Sequence, residues 1–407
     1  MNLYSMRRER LMTDLDNNSI VVLFSSDNSK YGDTFNVNRN FYYLTGIEEP
    51  SCILVMTKIK DKINSLLYIL PHDPIQAKWV GDRISSKEAS DISEIINVKN
   101  YYQFNEDLAS MFDRLRTYED ASIYLDLWTE EGTITKANVL AGKVRKEFPA
   151  ICVCDLFPKI AEFRLIKDET EITCMTHAIN ITDLGIQNMI KSVKDGTNEM
   201  SLEGIFNFVL YQNKCNKTAF KTICAGGPRA TVLHYSANNQ NVNDGELFLI
   251  DLGATFKNYC ADISRTFPVN GRFTERQREL YEIVLHAQKI VQENAVVGMN
   301  IRKLTDLVIE YYKNELPKHG LNKDVDEYFY HSVSHHIGLD VHDVDGGLGE
   351  ILKAGMVISN EPGLYVADEG IGIRIEDDLL ITSTGAKCLS EKILKDPDEI
   401  EYFMKKF

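Results

Sequence analysis

Two apolar runs joined by a short turn, "GELFLIDLGA" (245–254) and "NYCADISRTF" (258–267), constrain the fold of this chain most strongly. Both runs predict β-strands, and strands joined by so short a turn pair in the antiparallel sense. Each run carries an aspartate, Asp251 in the first and Asp262 in the second. In such a hairpin both carboxylates can project from one face, within reach of each other. Buried like charges repel, so the hairpin predicts a cation between them, although a single aspartate at a strand end is ordinary.

The rest of the chain shows two regions of different character, as its 407 residues lead us to expect. Residues 1–160 alternate short Val/Ile/Leu-rich runs with helical stretches, which indicates an N-terminal α/β domain. Residues 161–407 mix long helical patterns with strands, which indicates an α+β domain with a largely antiparallel sheet. Helices are expected over 168–193, 200–213, 275–295 and 301–316. Asp168 is a predicted N-cap, and Thr274 with Gln277 forms a predicted capping box.

The composition excludes several classes of function. The formal net charge of −15 and the pI near 5.2 argue against a nucleic-acid partner, which would require clustered Lys and Arg. No window reaches the apolar length of a membrane span, and the N-terminus lacks the apolar segment of a signal peptide. The eight cysteines are scattered, so we expect thiols and a cytoplasmic location.

Further acidic residues follow apolar runs in the C-terminal region. Glu361 precedes a Pro-Gly turn in "VISNEPGL", and Glu376 lies in "GIGIRIEDD", two positions after Arg374. Period-two alternation puts Arg374 and Glu376 on one strand face, where a simple ion pair is the alternative. Four of the nine histidines lie in "HSVSHHIGLDVHDV" (331–344). One imidazole added to the four carboxylates makes a hard, oxygen-rich donor set that suits two Mn²⁺-like ions.

Taken in order, the motifs "DLGATFKNYCADISRTFPVNGRFT", "SHHIGLDVHDV", "NEPGLYV" and "GIGIRIEDD" resemble those of aminopeptidase P and the related prolidases. The stretch "NRNFYYLTGIEEPSCILVM" also resembles the N-terminal domain of that family. The resemblance covers nearly the whole chain and implies a pita-bread catalytic domain over 161–407, preceded by the family's N-terminal domain over 1–160. It implies a metal-dependent aminopeptidase that releases the first residue from peptides with proline in the second position. The metal ligands it implies are Asp251, Asp262, His335, Glu361 and Glu376.

The resemblance also assigns roles beside the metal ligands. His331, His342 and His234 match histidines that contact the substrate, and Arg374 is expected to orient carboxylates or substrate. Glu361 is expected to accept a proton from the attacking water, while His331 and His342 donate hydrogen bonds or pass on a proton. His336 lies where the family varies and is expected to pack rather than to bind metal.

Cofactor, partner and substrate length follow from the same resemblance. It implies two divalent ions, Mn²⁺ first, with Co²⁺ or Zn²⁺ as alternatives. Trp79, in "KWVGDR", matches a tryptophan near the active site of a neighbouring subunit, which implies a homodimer or homotetramer; an ordinary aromatic residue is the alternative. The short segment "YVADEGIGIRIE" and Cys260, two residues before a ligand, depart from the family pattern. Cys260 is expected to be a buried, inert thiol. Because the short segment borders the cleft and a prolidase uses the same ligands, a prolidase specific for Xaa-Pro dipeptides stays an alternative, and a metal-free creatinase-like hydrolase and a non-catalytic pita-bread binding module are remoter ones.

Overall fold

The computed structural model describes residues 2–26, 35–129, 133–344 and 347–407. It divides into two compact units, Met1–Ile160 and Ala161–Phe407. The strands of the first unit are β1 Ser19–Phe24, β2 Ile53–Ile59, β3 Lys62–Ile69, β4 Asn97–Asn100, β5 Ser122–Leu125 and β6 Cys152–Asp155. The helices up to its end are α1 Leu3–Asp14, α2 Arg39–Thr45, α3 Ala77–Val80, α4 Ser86–Ser93, α5 Phe104–Leu115, α6 Lys136–Glu147 and α7 Phe157–Leu165.

The first unit is built on one mixed sheet of six strands in the order β4-β3-β2-β1-β5-β6. The pairs β1–β2 and β2–β3 are antiparallel, and β1–β5, β3–β4 and β5–β6 are parallel. Side chains such as Val22, Val55 and Ile123 pack against Phe112 and Val144 of the helices and form its core. The expected α/β architecture of the N-terminal region is confirmed.

Longer helices and short antiparallel strands make up the second unit. Its helices after α7 are α8 Glu169–Ser192, α9 Glu199–Gln212, α10 Glu275–Asn294, α11 Ile301–Glu315 and α12 Pro397–Met404. Its strands are β7 Ile223–Gly226, β8 Leu247–Leu252, β9 Thr255–Phe256, β10 Tyr259–Cys260, β11 Ile263–Pro268, β12 Val357–Asn360, β13 Gly363–Val366, β14 Ile371–Arg374, β15 Asp377–Thr382 and β16 Gly385–Cys388. None of the helices in the described ranges combines the length and apolar character that a membrane span requires.

Every strand pair in this unit is antiparallel, in the groups β11-β8-β7, β12-β15-β16, β13-β14 and β10-β9. The predicted helix starts are also present. The Asp168 side chain caps the first turn of α8, and Thr274 with Gln277 closes a capping box on α10. The expected α+β architecture is therefore confirmed, and its strand ends carry the acidic residues described next.

Candidate active site

The β8–β11 hairpin brings the first two aspartates together. Asp251, near the end of β8, pairs across the ladder with Ser264, and Asp262 lies immediately before β11. A Cβ atom on Gly253 would lie 1.8 Å from the carbonyl oxygen of Ala261. Because that space admits no side chain, glycine is required where the returning chain passes the first strand. The hairpin expected from the sequence is present, with Asp262 at the strand entrance instead of inside the strand.

His335 faces two of the carboxylates. Its Nε2 atom lies 3.4 Å from Asp262 Oδ2 and 3.3 Å from Glu361 Oε1. Its Nδ1 atom lies 3.1 Å from the carbonyl oxygen of His336, which can only accept, so the ring proton belongs on Nδ1. The Nε2 lone pair then points at the two carboxylates. Ligand atoms of Asp262, His335 and Glu376 all lie within 4.8 Å of one another, which is close enough for one ion to bind them.

The carboxylates carry more negative charge than the protein neutralises. Burial, and after it the neighbouring carboxylates, raise the pKa of Asp262 and Glu376 well above the ordinary range. Burial also raises the pKa of Glu361. Arg374 donates from Nη2 to Asp251 Oδ2 at 2.7 Å, while the buried Oδ1 of Asp251 makes no hydrogen bond to the described residues. A set of four carboxylates with one facing imidazole, in which Asp262 and Glu376 are buried and the other two are only 14% and 15% exposed, fits divalent cations of the Mn²⁺ type.

A hydrogen-bonded chain connects Arg374 with His331. Arg374 Nη1 donates to the Tyr365 hydroxyl at 2.9 Å, and that hydroxyl lies 2.9 Å from His331 Nε2. His331 Nδ1 lies 2.8 Å from the carbonyl oxygen of Ser332, so Nδ1 carries the proton and Nε2 accepts from Tyr365. Burial, assisted by the Arg374 charge, lowers the pKa of His331 to about 4. This ring is therefore neutral and fixed in orientation at pH 7.

The remaining predicted residues of the second unit surround the same cavity, which has a volume of about 830 Å³. The ring centroid of His342 lies 4.3 Å from that of His335, and burial followed by the charges of His335 and His234 lowers the pKa of His342. His234 is exposed at the cavity wall. The lining includes all the predicted site residues of this unit, Asp251, Asp262, His234, His331, His335, His342, Glu361, Arg374 and Glu376.

Three other residues were singled out in the sequence. Trp79 lies in the other unit, and Cys260 and His336 are buried beside backbone carbonyl oxygens. Trp79 belongs to the first unit, on the short helix α3, with 76% of its surface exposed. The Cys260 thiol is buried, with Sγ 3.8 Å from the carbonyl oxygen of Leu339. His336 is buried, and its Nε2 lies 3.0 Å from the carbonyl oxygen of Gly349, which fits the expected packing role.

Two polar residues of the site were not predicted. Tyr365 links Arg374 to His331, and the Ser264 hydroxyl donates to Glu376 Oε2 at 2.7 Å. The signal for Ser264 is its position two residues after Asp262, on the same strand face. Tyr365 is visible only after β13 and β14 are paired, since Tyr365 lies opposite Gly372 in that hairpin.

Comparison with known proteins agrees with this arrangement. Residues 173–383 match metallopeptidase family M24, and residues 4–118 match the aminopeptidase P N-terminal domain. The chain is 34% identical to an Xaa-Pro aminopeptidase of Haemophilus influenzae, over 98% of this chain and 96% of that protein. It is 33% identical to an Xaa-Pro aminopeptidase of Escherichia coli, over 98% and 97% of the two chains. Among solved structures, E. coli aminopeptidase P with the inhibitor Pro-Leu superimposes with a TM-score of 0.89 at 31% identity, over 99% of this chain and 98% of that one. Proline aminopeptidase P II of Yersinia pestis gives a TM-score of 0.88 at 31% identity, over 100% of both chains.

Proposed function

Because the chain belongs to the aminopeptidase P family of M24 metallopeptidases, its activity is that of a metal-dependent Xaa-Pro aminopeptidase, and we propose that the carboxylate-lined cavity is its active site. The observation that carries this assignment is the carboxylate cluster around His335, in which burial, and after it the neighbouring carboxylates, raise the pKa of Asp262 and Glu376. Such a set is costly to bury unless cations occupy it. Peptides with proline in the second position are the substrates.

The residues proposed to hold the metal are His335 and the four carboxylates around it. We expect two divalent ions, Mn²⁺ first, and Co²⁺ or Zn²⁺ as alternatives, since oxygen-rich sites with one imidazole accept all three. A solved E. coli relative carries substituted zinc. When bound, such ions supply a water of lowered pKa and polarise the scissile carbonyl. The proposed ligands are Asp251, Asp262, His335, Glu361 and Glu376.

The protein's own groups then handle protons and orientation. Glu361, whose pKa burial raises, accepts the proton of the attacking water. His342 is neutral at pH 7 because its pKa is lowered, and it donates an N–H hydrogen bond to the substrate carbonyl. His331 stays oriented by Tyr365 and lies with Nδ1 3.9 Å from Glu361 Oε2, where it can give up its Nδ1 proton toward the leaving nitrogen as Nε2 takes a proton from the Tyr365 hydroxyl. His234 contacts the substrate from the exposed wall.

Apolar walls suit the proline ring. The cavity is lined by Phe220, Ile223, Leu233 and Val341 beside the charged residues. An Xaa-Pro bond lacks an amide hydrogen and has a fixed ring, so a site that recognises it relies on shape and apolar contact. The connection between β13 and β14 contains only Ala367–Gly370. The length of the peptide that the cavity accepts is measured in the experiment described below.

We expect a homo-oligomer in which Trp79 of one copy contributes to the site of another. The support is the exposed apolar cluster on and beside α3, where Ile75, Trp79 and Val80 are 72%, 76% and 62% exposed. Trp79→Ala should raise KM and weaken self-association, which size-exclusion chromatography with light scattering would measure. A monomeric wild-type protein with full activity would contradict this part of the proposal.

A cytoplasmic location is also proposed. All eight cysteines are thiols in the structure, as is usual in a reducing compartment. Because a relative from Arabidopsis thaliana is a mitochondrial peptidase, cell fractionation is the direct measurement.

The deciding experiment compares an Xaa-Pro dipeptide with an Xaa-Pro-Yaa tripeptide on metal-stripped protein refilled with Mn²⁺. Cleavage of the first bond of the tripeptide is expected, with Glu376→Gln as the inactive control. Cleavage of the dipeptide alone would identify a prolidase instead. Metal binding without cleavage of either peptide would overturn the assignment in favour of a binding module.

A further inference from the structure

A buried ion cluster lies behind the loop that carries His342. It consists of Arg164 and Lys167, from the segment "FRLIKD", and Asp343, the residue after His342. We propose that Arg164 and Lys167 are positioning residues for the reaction, because through Asp343 they hold His342 against His335. This inference rests on the proposed role of His342 in substrate binding.

The cluster is compact and almost fully dehydrated. Arg164 Nη2 lies 2.5 Å from Asp343 Oδ1, and Lys167 Nζ lies 3.1 Å from Asp343 Oδ2. The exposed fractions of the three side chains are 4%, 1% and 1%. Arg164 also reaches the half-exposed Asp340, with Nη2 3.2 Å from Oδ2. Burial raises the pKa of Asp343, but the two cations outweigh burial and lower it below the ordinary value. The carboxylate is therefore ionised, and each of its oxygens faces its own cation.

Asp343 is also the point where the His342 loop closes. The Asp343 backbone N–H donates to the carbonyl oxygen of His336 at 2.9 Å, which brings the two ends of the loop together. His335 thereby comes to lie beside His342, with 4.3 Å between the ring centroids. His335 Nε2 faces Asp262 and Glu361, so a shift of the loop end at Asp343 would move one imidazole relative to the other.

Gly338, inside the same loop, confirms how closely the backbone approaches the cluster. A Cβ atom at this position would lie 2.2 Å from Asp343 Oδ2 and 3.1 Å from Lys167 Cε. The loop is anchored there by two further backbone hydrogen bonds, from Cys260 N to Gly338 O at 2.8 Å and from Gly338 N to Asp340 O at 3.0 Å. The loop and the ion cluster are therefore fitted to each other, with no room for adjustment at this point.

Stability alone is a weak reason for such a cluster. Buried ion pairs often contribute no more than apolar residues of the same size would, because both ions lose their hydration. What a dehydrated two-cation clamp does supply is a single loop position, and that position determines where the His342 ring lies. A displacement of about 1 Å at a catalytic group can reduce the rate by about 100-fold.

The test is a double-mutant cycle with Arg164→Lys and His342→Ala, read as kcat and KM on the tripeptide with Mn²⁺-loaded protein. Lysine keeps the charge of Arg164, but its ammonium is a strongly hydrated point charge on a flexible stem and does not reproduce the fixed geometry of the guanidinium. Arg164→Lys alone should lower kcat by about 10- to 100-fold with a smaller change in KM. In the His342→Ala background the same substitution should change kcat less than about twofold, since the group it positions is gone.

If Arg164→Lys lowered kcat by the same factor with and without His342, the proposal would be overturned, because Arg164 would then act through something other than His342. If His342→Ala itself left kcat and KM unchanged, the proposed role of His342 would fail instead, so the two failures are distinguishable.

Metal content and thermal unfolding of each variant identify loss by misfolding. Lys167→Met, which keeps the Arg164–Asp343 pair, provides a second variant if Arg164→Lys does not fold, and the same cycle applies to it. Arg229→Lys is the matched control: Arg229 Nε pairs with buried Glu199 Oε1 at 2.6 Å, outside the cavity lining. This control should leave kcat within about twofold of wild type; a fall as large as that of Arg164→Lys would also contradict the proposal.

Discussion

Glu376 and Asp377 are neighbours in the sequence and both are buried, but their surroundings shift their pKa values in opposite directions. Asp377 lies 2.7 Å from Arg265 Nη2, and Lys395 Nζ contacts its other oxygen. These two cations outweigh burial and lower the pKa of Asp377 to about 2. Glu376 accepts a hydrogen bond from Ser264, and burial together with the adjacent carboxylates raises its pKa well above the ordinary range.

The opposite pKa shifts of Glu376 and Asp377 show that the missing positive charge is confined to the carboxylates of the cavity. The same fold neutralises a carboxylate fully one residue away, and again at Asp343, where two cations also lower the pKa. Among the residues that the structure describes, Asp262 and Glu376 have no such paired cations, and their uncompensated charge fits the metal dependence of the family. The contrast between Glu376 and Asp377 therefore separates the proposed metal ligands from carboxylates that the protein's own cations neutralise.

The largest effect is expected when a cavity carboxylate is removed. Asp262→Asn should lower kcat/KM by more than about 100-fold, because changes merely next to a metal ligand already cost 10- to 100-fold. The metal content should fall as well. Activity assays across Mn²⁺ concentration together with elemental analysis measure both quantities. Wild-type activity and metal content in this variant would remove Asp262 from the proposed ligands.

The next largest effect is a loss of stability when Asp377, the carboxylate neutralised by two cations, is changed. Asp377→Asn should destabilise the protein by about 3–5 kcal/mol, because it leaves the fully buried Arg265 without its carboxylate. Asp378→Asn is the matched control, since burial raises the pKa of Asp378 and an amide should cost much less there. Urea unfolding of the two metal-loaded variants measures the difference. Equal destabilisation by the two substitutions would contradict the contrast.

A smaller effect is expected when Tyr365, which connects Arg374 to His331, is changed. Arg374 divides its guanidinium between Asp251 and Tyr365, at 2.7 and 2.9 Å. Tyr365→Phe removes the link to His331 but leaves the Asp251 pair in place. We expect kcat to fall by about 10-fold, less than the roughly 100- to 10,000-fold that a general acid or base contributes, because Tyr365 only orients His331, and we expect the metal content to stay unchanged. A loss of metal instead would show that Tyr365 supports the ligands and not His331.

How much of this site could be predicted depended on the distance along the chain between interacting residues. The Thr274 capping box and the β8–β11 hairpin were predictable because their partners are close in the chain, three residues apart in the box and 11 to 21 residues apart in the strand ladder. The Arg164–Asp343 pair joins residues 179 positions apart, and only the folded chain brings them together. Sequence patterns state which side chains are buried near strand ends, but they do not state which cation each will meet.

The resemblance to a known family covered part of that gap for the five ligands and the histidines. It did not include Tyr365 or Ser264, because a hydroxyl acquires a role only through its neighbours. Ser264 connects Arg374 Nε, at 2.8 Å, to Glu376 Oε2, at 2.7 Å, and neither contact has a local sequence signal beyond period two.

The smallest predicted effect lies far from the cavity, where a histidine supplies the positive charge between carboxylates. His319 Nδ1 lies 2.6 Å from Glu279 Oε1 on α10, and His319 Nε2 lies 3.1 Å from Glu315 Oε1 on α11. The hydrogen bond to Glu279 is the main reason that the pKa of His319 is raised. A histidine with a raised folded-state pKa stabilises the protein fully below its unfolded-state pKa, near 6.5. That contribution is lost as the pH rises through the folded-state value.

Because these side chains are partly exposed and screened by solvent, the contribution should stay below about 1 kcal/mol. Urea unfolding of metal-loaded protein at pH 5.5 to 9 measures it as the difference between wild type and His319→Gln. The difference should favour wild type at low pH and shrink toward high pH. His286→Gln is the matched control, since His286 lies on α10 against Tyr311, with ring centroids 4.9 Å apart, and is not part of this carboxylate bridge. A difference between His319→Gln and wild type that is constant across this range would show that His319 is not held as an imidazolium, and that its contacts stabilise the helix pair through packing alone.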